Sequence, residues 1–352
     1  MFNKAQTRGR LRPALVGMAI ILWLALAPSS GLAGCLSVRV ERAASPVLRS
    51  SRTSAAQAGP AYYYQQGVAY LQAGQFQAAL ENFQQVIRLA PQFVAGYFGA
   101  GLAYSGLRQF REAVGSLEQA IRLKPDFAEA YYALGVAYDE QDQYLDALTA
   151  TKQAIRFKPG FVEAYINLSY AYERLDQHRE SIEAARQAIR LKPDLAQSYN
   201  NMGYAYNQIG QYREALAASD EAMRLKNSVM DVAAAYYLKG YAYDKLGQRQ
   251  KSLEAYRQAI AAFRQAPVAN MSADSYFYLG NSYQQTGQAQ EAIAAYQEAI
   301  KTRPNFAQPH LSLGVAYVTI GNKRAALEEY RTLKSLDPGR AERLYKVING
   351  GR

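Results

Sequence analysis

Cysteine is nearly absent from this 352-residue chain, which has Cys35 and no other. A disulfide framework and a thiolate zinc centre are therefore excluded. Histidine is almost as scarce. His178 and His310 stand far apart and no second thiol joins either, so neither a metal centre nor a catalytic triad is proposed. Proline is also sparse, at 12 residues, against a disordered or low-complexity class. What the chain has in excess is tyrosine: 29, against 12 Phe and 1 Trp.

The formal charge of +11 suggests nucleic acid until it is located. Residues 1–34 contribute +4 through Lys4, Arg8, Arg10 and Arg12, and residues 35–59 contribute +3. Residues 60–352 carry only the remaining +4. Nucleic-acid binding needs a clustered basic surface on the folded part, and no nucleic-acid partner is expected.

The basic, acid-free start is followed by a 14-residue apolar run, Ala14 to Ala27, and then by Pro28-Ser29-Ser30-Gly31. That order of regions is the pattern of an export signal, and the run is short of the ~20 apolar residues of a membrane span. The sequence Leu32-Ala33-Gly34-Cys35 resembles the lipobox of bacterial lipoproteins. The resemblance implies a signal peptide over 1–34, a diacylglyceryl group on Cys35 and anchorage to a membrane. Residues Leu36 and Ser37 lack the Asp that retains many enteric lipoproteins in the inner membrane, which by analogy favours the outer membrane, facing the periplasm. Two other readings stay open: cleavage after Ala33 to give a soluble exported protein, or an uncleaved N-terminal anchor. Residues 35–59, rich in Ser, Ala and Arg with no sustained period, read as a flexible tether.

From Pro60 onward the chain repeats. Gly-x-x-Tyr recurs at Gly67, Gly101, Gly135, Gly203, Gly240, Gly280 and Gly314, and Ser169 fills the one gap. The spacing is 34 residues, except 37 after Gly203 and 40 after Gly240. The units are 60–93, 94–127, 128–161, 162–195, 196–232, 233–272, 273–306 and 307–340, leaving 341–352 as a partly helical tail. Within each unit, position 4 is Tyr in seven repeats and His310 in the last, and position 11 is always Tyr. Positions 4, 7, 8 and 11 share one helical face. Position 20 is always Ala or Ser, position 15 is Gly in five units, and position 32 is Pro in six. Glycine there suits a left-handed helix cap, and the proline stops the second helix.

This pattern is similar to that of the tetratricopeptide-repeat family, and it covers all of 60–340. The resemblance implies an all-α, right-handed superhelical solenoid of eight helix-turn-helix hairpins, whose first helices line a concave groove. It implies binding of proteins rather than catalysis: no enzyme, no cofactor, no small-molecule substrate. Repeats 5 and 6 lack the proline and precede the insertions, so their second helices are expected to run longer, re-angling the stack around 227–232 and 265–272.

In this family positions 2, 5, 6, 9, 12 and 13 of the first helix face the groove. Tyr132, Tyr237 and Phe277 then fall there at position 5, with Asn200 beside them. Asn167 and Asn201 hold position 6, and Tyr170, Tyr204 and Tyr241 hold position 9. Amides can pair with both polar groups of an extended peptide, and tyrosine offers rigid contact area with a hydroxyl. These nine residues are the expected peptide-binding groove, with Cys35 as the lipidation site. The same aromatics would serve packing alone on a blander view. A glycan-binding module, its groove tyrosines stacked on sugar rings, is the alternative from another class. Bases at positions 29 and 31 of repeats 2–5 suit helix C-termini or an edge facing anionic lipid or an acidic partner.

Overall fold

The computed structural model describes residues 59–268 and 271–350, so the leader, Cys35 and most of the tether lie outside the described residues. The described residues hold seventeen α-helices and no strand. They fall into two compact units, one reaching Pro159 and the other starting at Gly160.

The first unit holds three hairpins: α1 (Pro60–Gln72) with α2 (Phe76–Leu89), α3 (Val94–Gly106) with α4 (Phe110–Leu123), and α5 (Ala128–Asp139) with α6 (Tyr144–Phe157). The second holds α7 (Val162–Arg174) with α8 (His178–Leu191), α9 (Ala196–Gln208) with α10 (Tyr212–Leu225), and α11 (Val229–Lys245) with α12 (Arg249–Gln265). After these come α13 (Ala273–Gln285) with α14 (Ala289–Thr302), α15 (Ala307–Thr319) with α16 (Lys323–Leu336), and a last helix α17 (Pro338–Ile348).

All eight hairpins turn the same way. Position 15 has positive φ whether it is glycine, as at Gly74, or not, as at Arg108 (61°), Asp142 (60°) and Asp176 (56°). The next residue's N–H then reaches back to the carbonyl of the position-11 tyrosine, as in Gln109 to Tyr104 at 2.9 Å and Gln248 to Tyr243 at 2.9 Å. This is the six-to-one bond of a Schellman cap. The requirement is on the backbone, and three repeats meet it at the steric cost of a side chain in the left-handed region.

The position-11 tyrosine uses its hydroxyl as well as its ring. In four repeats that hydroxyl meets position 25 of the preceding repeat, twenty residues earlier. Tyr138 donates to Glu118 at 3.3 Å, Arg186 donates to Tyr206 at 2.9 Å, and Gln297 donates to Tyr317 at 3.0 Å. Phenylalanine would fill the same space without that link between repeats.

Helix pairs close through a size match between position 8 and position 24. A Cβ added at Gly280 would lie 2.5 Å from the Tyr296 ring, and one at Gly67 would lie 2.9 Å from the Phe83 ring. Where position 8 is Ser169, the facing residue is Ala185, and Ser169 Oγ lies 2.9 Å from Ser181 Oγ. At Gly314 the contact comes from Leu344 of α17, at 2.4 Å from the added Cβ. Leu344 is fully buried, so the C-terminal helix covers the last hairpin. It begins at Pro338, earlier than the expected tail, because Asp337 caps it by accepting from the Arg340 N–H at 2.9 Å.

The two insertions are absorbed differently, and one expectation is corrected. α10 ends at Leu225 and is no longer than its counterparts, since Lys226 takes a left-handed conformation (φ 48°). Ser228 then caps α11 by accepting from the Asp231 N–H at 3.1 Å, so the extra residues lengthen the first helix of repeat 6 to 17 residues. Asn227 holds the linker by accepting from the Ala196 N–H at 2.5 Å. α12 does run longer, at 17 residues against the usual 14.

Candidate functional site

In the second unit the first helices α7, α9, α11 and α13 carry eight of the nine expected groove residues. Three of them, Tyr170, Tyr204 and Tyr237, do not face an open trough but meet residues of repeat 7 and close a cluster.

Its aromatic half centres on Tyr278, at position 6 of α13. The Tyr278 and Tyr237 rings stack with centroids 4.4 Å apart and planes 15° from parallel, and Tyr204 lies 6.5 Å from Tyr278 on another side. Asn281 donates to the Tyr237 hydroxyl at 3.0 Å and accepts from the Tyr296 hydroxyl at 2.7 Å. Burial pushes the Tyr204, Tyr237 and Tyr278 hydroxyls above the ordinary phenol value, so they stay protonated and able to donate. Phe277 packs on Phe306, centroids 5.5 Å apart, and on Tyr296. Its ring is spent on packing between repeats 7 and 8.

The polar half joins repeat 4 to repeat 7. The Tyr170 hydroxyl donates to Asp274 at 3.2 Å and accepts from Arg303 at 2.8 Å. Asp274 sits between two guanidiniums, each 3.8 Å away: Arg174 on α7 and Arg303 just after α14. All three charged side chains are less than a fifth exposed. Arg174 also lies over the Phe306 ring at 4.5 Å, a cation–π contact. Beside it, burial pushes the Glu173 carboxyl well above its usual range; the Ser181 hydroxyl bond pulls it down, Asp274 pushes it up and Arg174 pulls it down.

The asparagines divide. Asn200 is buried and donates to the Asp231 carbonyl at 3.0 Å, and Asn207 donates to the Leu238 carbonyl at 3.1 Å. Both stitch α9 to α11, so Asn200 serves the stack rather than an open groove. On Asn201 the Nδ2 is buried with no acceptor, and the Oδ1 atoms of Asn200 and Asn207 are likewise buried with no donor. Asn167 is half-buried on α7. Tyr241 is also half-buried, with the Lys245 ammonium 5.3 Å over its ring. Tyr132 belongs to the first unit and is buried there, 5% exposed.

Sequence reasoning places Asn281 at groove position 9 without singling it out, and missed Arg174, Asp274 and Tyr278, although they occupy groove positions 13, 2 and 6. It missed Arg303 because position 31 belongs to the outer edge in the other repeats. Their charge and aromatic character on a groove-facing position was the available signal. Cys35 lies outside the described residues. His310, in the tyrosine position, is held between Glu329 at 2.6 Å and the Pro304 carbonyl at 2.9 Å. Among the described residues no group of three or more His, Cys, Asp or Glu could hold a metal ion.

Family models described as tetratricopeptide repeat match residues 60–93, 128–161, 162–195, 194–265 and 307–340, and one described as TPR repeat matches 109–142 and 280–321. No curated protein matches. Among solved structures the chain is similar to a MamA protein, at 28% identity over 47% of this chain and 91% of that one, with a TM-score of 0.44. It is similar to YrrB, described as a TPR protein with an unusual peptide-binding site, at 21% identity over 53% and 95%, TM-score 0.45. A tetratricopeptide repeat protein from Parabacteroides merdae matches at 15% identity over 72% of this chain and 98% of its own, TM-score 0.53. That last likeness speaks to the fold.

Proposed function

We propose a function from one premise: this chain belongs to the tetratricopeptide-repeat family, whose models match most of its described residues. It is a non-catalytic scaffold that docks segments of partner proteins. It is exported and held by lipid on Cys35 to a bacterial membrane, the outer membrane facing the periplasm, where those partners are envelope proteins.

The observation that supports a peptide ligand is the buried Nδ2 of Asn201, which has no acceptor. An unmet buried donor costs about 1–3 kcal/mol, and native proteins keep few of them. A backbone carbonyl of an incoming chain would relieve it, with the protonated Tyr204 hydroxyl on the same helix as a second donor. Docking then loosens the contacts of Tyr170 with Asp274 and Arg303, so the cluster is the closed form of the site. Sugar stacking is disfavoured at Tyr237, whose ring lies against Tyr278 and is 7% exposed.

The test passes an envelope extract over the immobilised chain and over an Asn201→Leu variant. Retention of a protein by the first and its loss from the second is the expected result. Recovery of polysaccharide without protein contradicts the scaffold reading.

A further inference from the structure

The first unit has two long edges. At one, the starts of the first helices meet the ends of the second helices. Tyr64 of α1 packs on Phe93 ahead of α3, centroids 5.5 Å apart, and Lys158 past α6 pairs with Glu129 of α5 at 2.8 Å. At the other edge lie the hairpin turns, where Arg108 and Glu140 are 3.7 Å apart.

Their charges are opposite. The first edge carries five bases, Arg88, Arg122, Lys124, Arg156 and Lys158, against the acids Asp126 and Glu129. The turn edge carries Arg108 and Arg111 against five acids: Glu112, Asp139, Glu140, Asp142 and Asp146. The basic edge also exposes large apolar side chains: Tyr62 at 50%, Leu89 at 46%, Phe93 at 40% and Phe157 at 38%. The favourable placement of cations at helix C-termini accounts for Arg88, Arg122 and Arg156. It does not account for exposed aromatics interleaved with them; at the opposite edge the dipole favours Glu112 and Asp146 in the first turns of α4 and α6, but not Glu140 and Asp142, which follow the C-terminal end of α5. Leu145, 65% exposed on the turn edge, stands among acids that an anionic surface would repel.

Bases flanking aromatic and aliphatic side chains are the composition that settles at a lipid–water interface. Each such base strengthens partitioning to an anionic surface about fivefold. The chain also arrives there: Gly59, 24 residues after Cys35, precedes α1 at this same edge.

We infer that the basic–aromatic edge of repeats 1–3 docks on an anionic phospholipid surface, turning the acidic hairpin turns away from it. The inference deepens the lipid-anchor reading, and the two fail separately. In the full chain, a bimane label is placed by Leu89→Cys or Leu145→Cys, both at exposed positions, with the unsubstituted chain giving the background from Cys35. Vesicles contain phosphatidylcholine with or without brominated phosphatidylglycerol. Quenching at 89 should exceed that at 145 severalfold. The contrast should vanish at about 0.5 M salt, where the screening length shrinks to a few ångströms, and with Arg88→Glu, Arg122→Glu and Arg156→Glu combined. Equal quenching at both positions, or no association with the vesicles, overturns the edge assignment; docking on an acidic protein instead would give that equality. A Cys35 thiol that takes up bimane refutes the lipid anchor and leaves the quenching contrast to judge the edge by itself.

Discussion

The Tyr170 hydroxyl accepts a hydrogen bond from the Arg303 guanidinium at 2.8 Å, joining side chains 133 residues apart. The same hydroxyl donates to Asp274, which Arg303 and Arg174 flank. A groove read as open from repeat positions is thereby closed across three repeats. Tyr170→Phe keeps the ring and removes both bonds. It should cost about 1–3 kcal/mol, read as a shift in the urea midpoint, and speed hydrogen exchange in α7 and α13. Unchanged exchange in both helices contradicts the closed form.

The size match at position 8 separates two glycines that look alike in sequence. Gly280→Ala sets a methyl 2.5 Å from the buried Tyr296 ring, an overpacking that costs about 1–3 kcal/mol. Gly203→Ala meets nothing nearer than Ser219 Oγ at 3.4 Å. There the helix preference for alanine, up to about 1 kcal/mol, should leave stability unchanged or raised. Melting curves of the two variants check this, and equal losses refute the match.

Burial holds the Glu173 carboxyl well above its ordinary range. The folded chain therefore binds that proton more tightly than the unfolded chain, and stability falls as pH rises from the ordinary carboxylate value toward the folded one. Glu173→Gln removes the dependence. Its stability relative to the parent should be greater at pH 8 than at pH 4.5, by urea titration. A constant difference refutes the assignment.

His310 has the opposite origin and the same slope. Burial lowers its pKa, but the Glu329 and Pro304 bonds outweigh burial and the net shift is upward. Its stabilising contribution is complete below the unfolded value near 6.5 and is lost as pH rises through the folded one. The advantage of the parent over His310→Gln should be largest near pH 5 and shrink above pH 7. An advantage that grows with pH contradicts a charged imidazolium.

Most of the fold was legible because each repeat states it again: the Tyr, Gly and small-residue positions define two helices and the face that joins them. Position 15 was legible in five repeats through glycine. Arg108, Asp142 and Asp176 show that the turn is imposed by the helices even where the residue resists it. The lengthened α11 was hidden because the missing proline of repeat 5 drew attention to the preceding helix, while the deciding signal was the Ser228–Asp231 cap. The candidate site was legible only as a list of inward positions. Whether Tyr170 meets solvent or Arg303 depends on curvature accumulated over three repeats, which no local spacing encodes. Asn200 and Asn207 show the same limit, since an amide on an inward helix is equally able to bind the next repeat's backbone.

The central claim, a scaffold whose second unit receives a polypeptide on its first helices, is tested most directly by photo-crosslinking. A benzoylphenylalanine replaces half-buried Tyr241 on α11, with a control at exposed Leu145, and living envelopes are irradiated. The account predicts a polypeptide adduct from position 241 that Asn201→Leu abolishes and position 145 does not give. Adducts that are the same from both positions, or that survive Asn201→Leu unchanged, would contradict it.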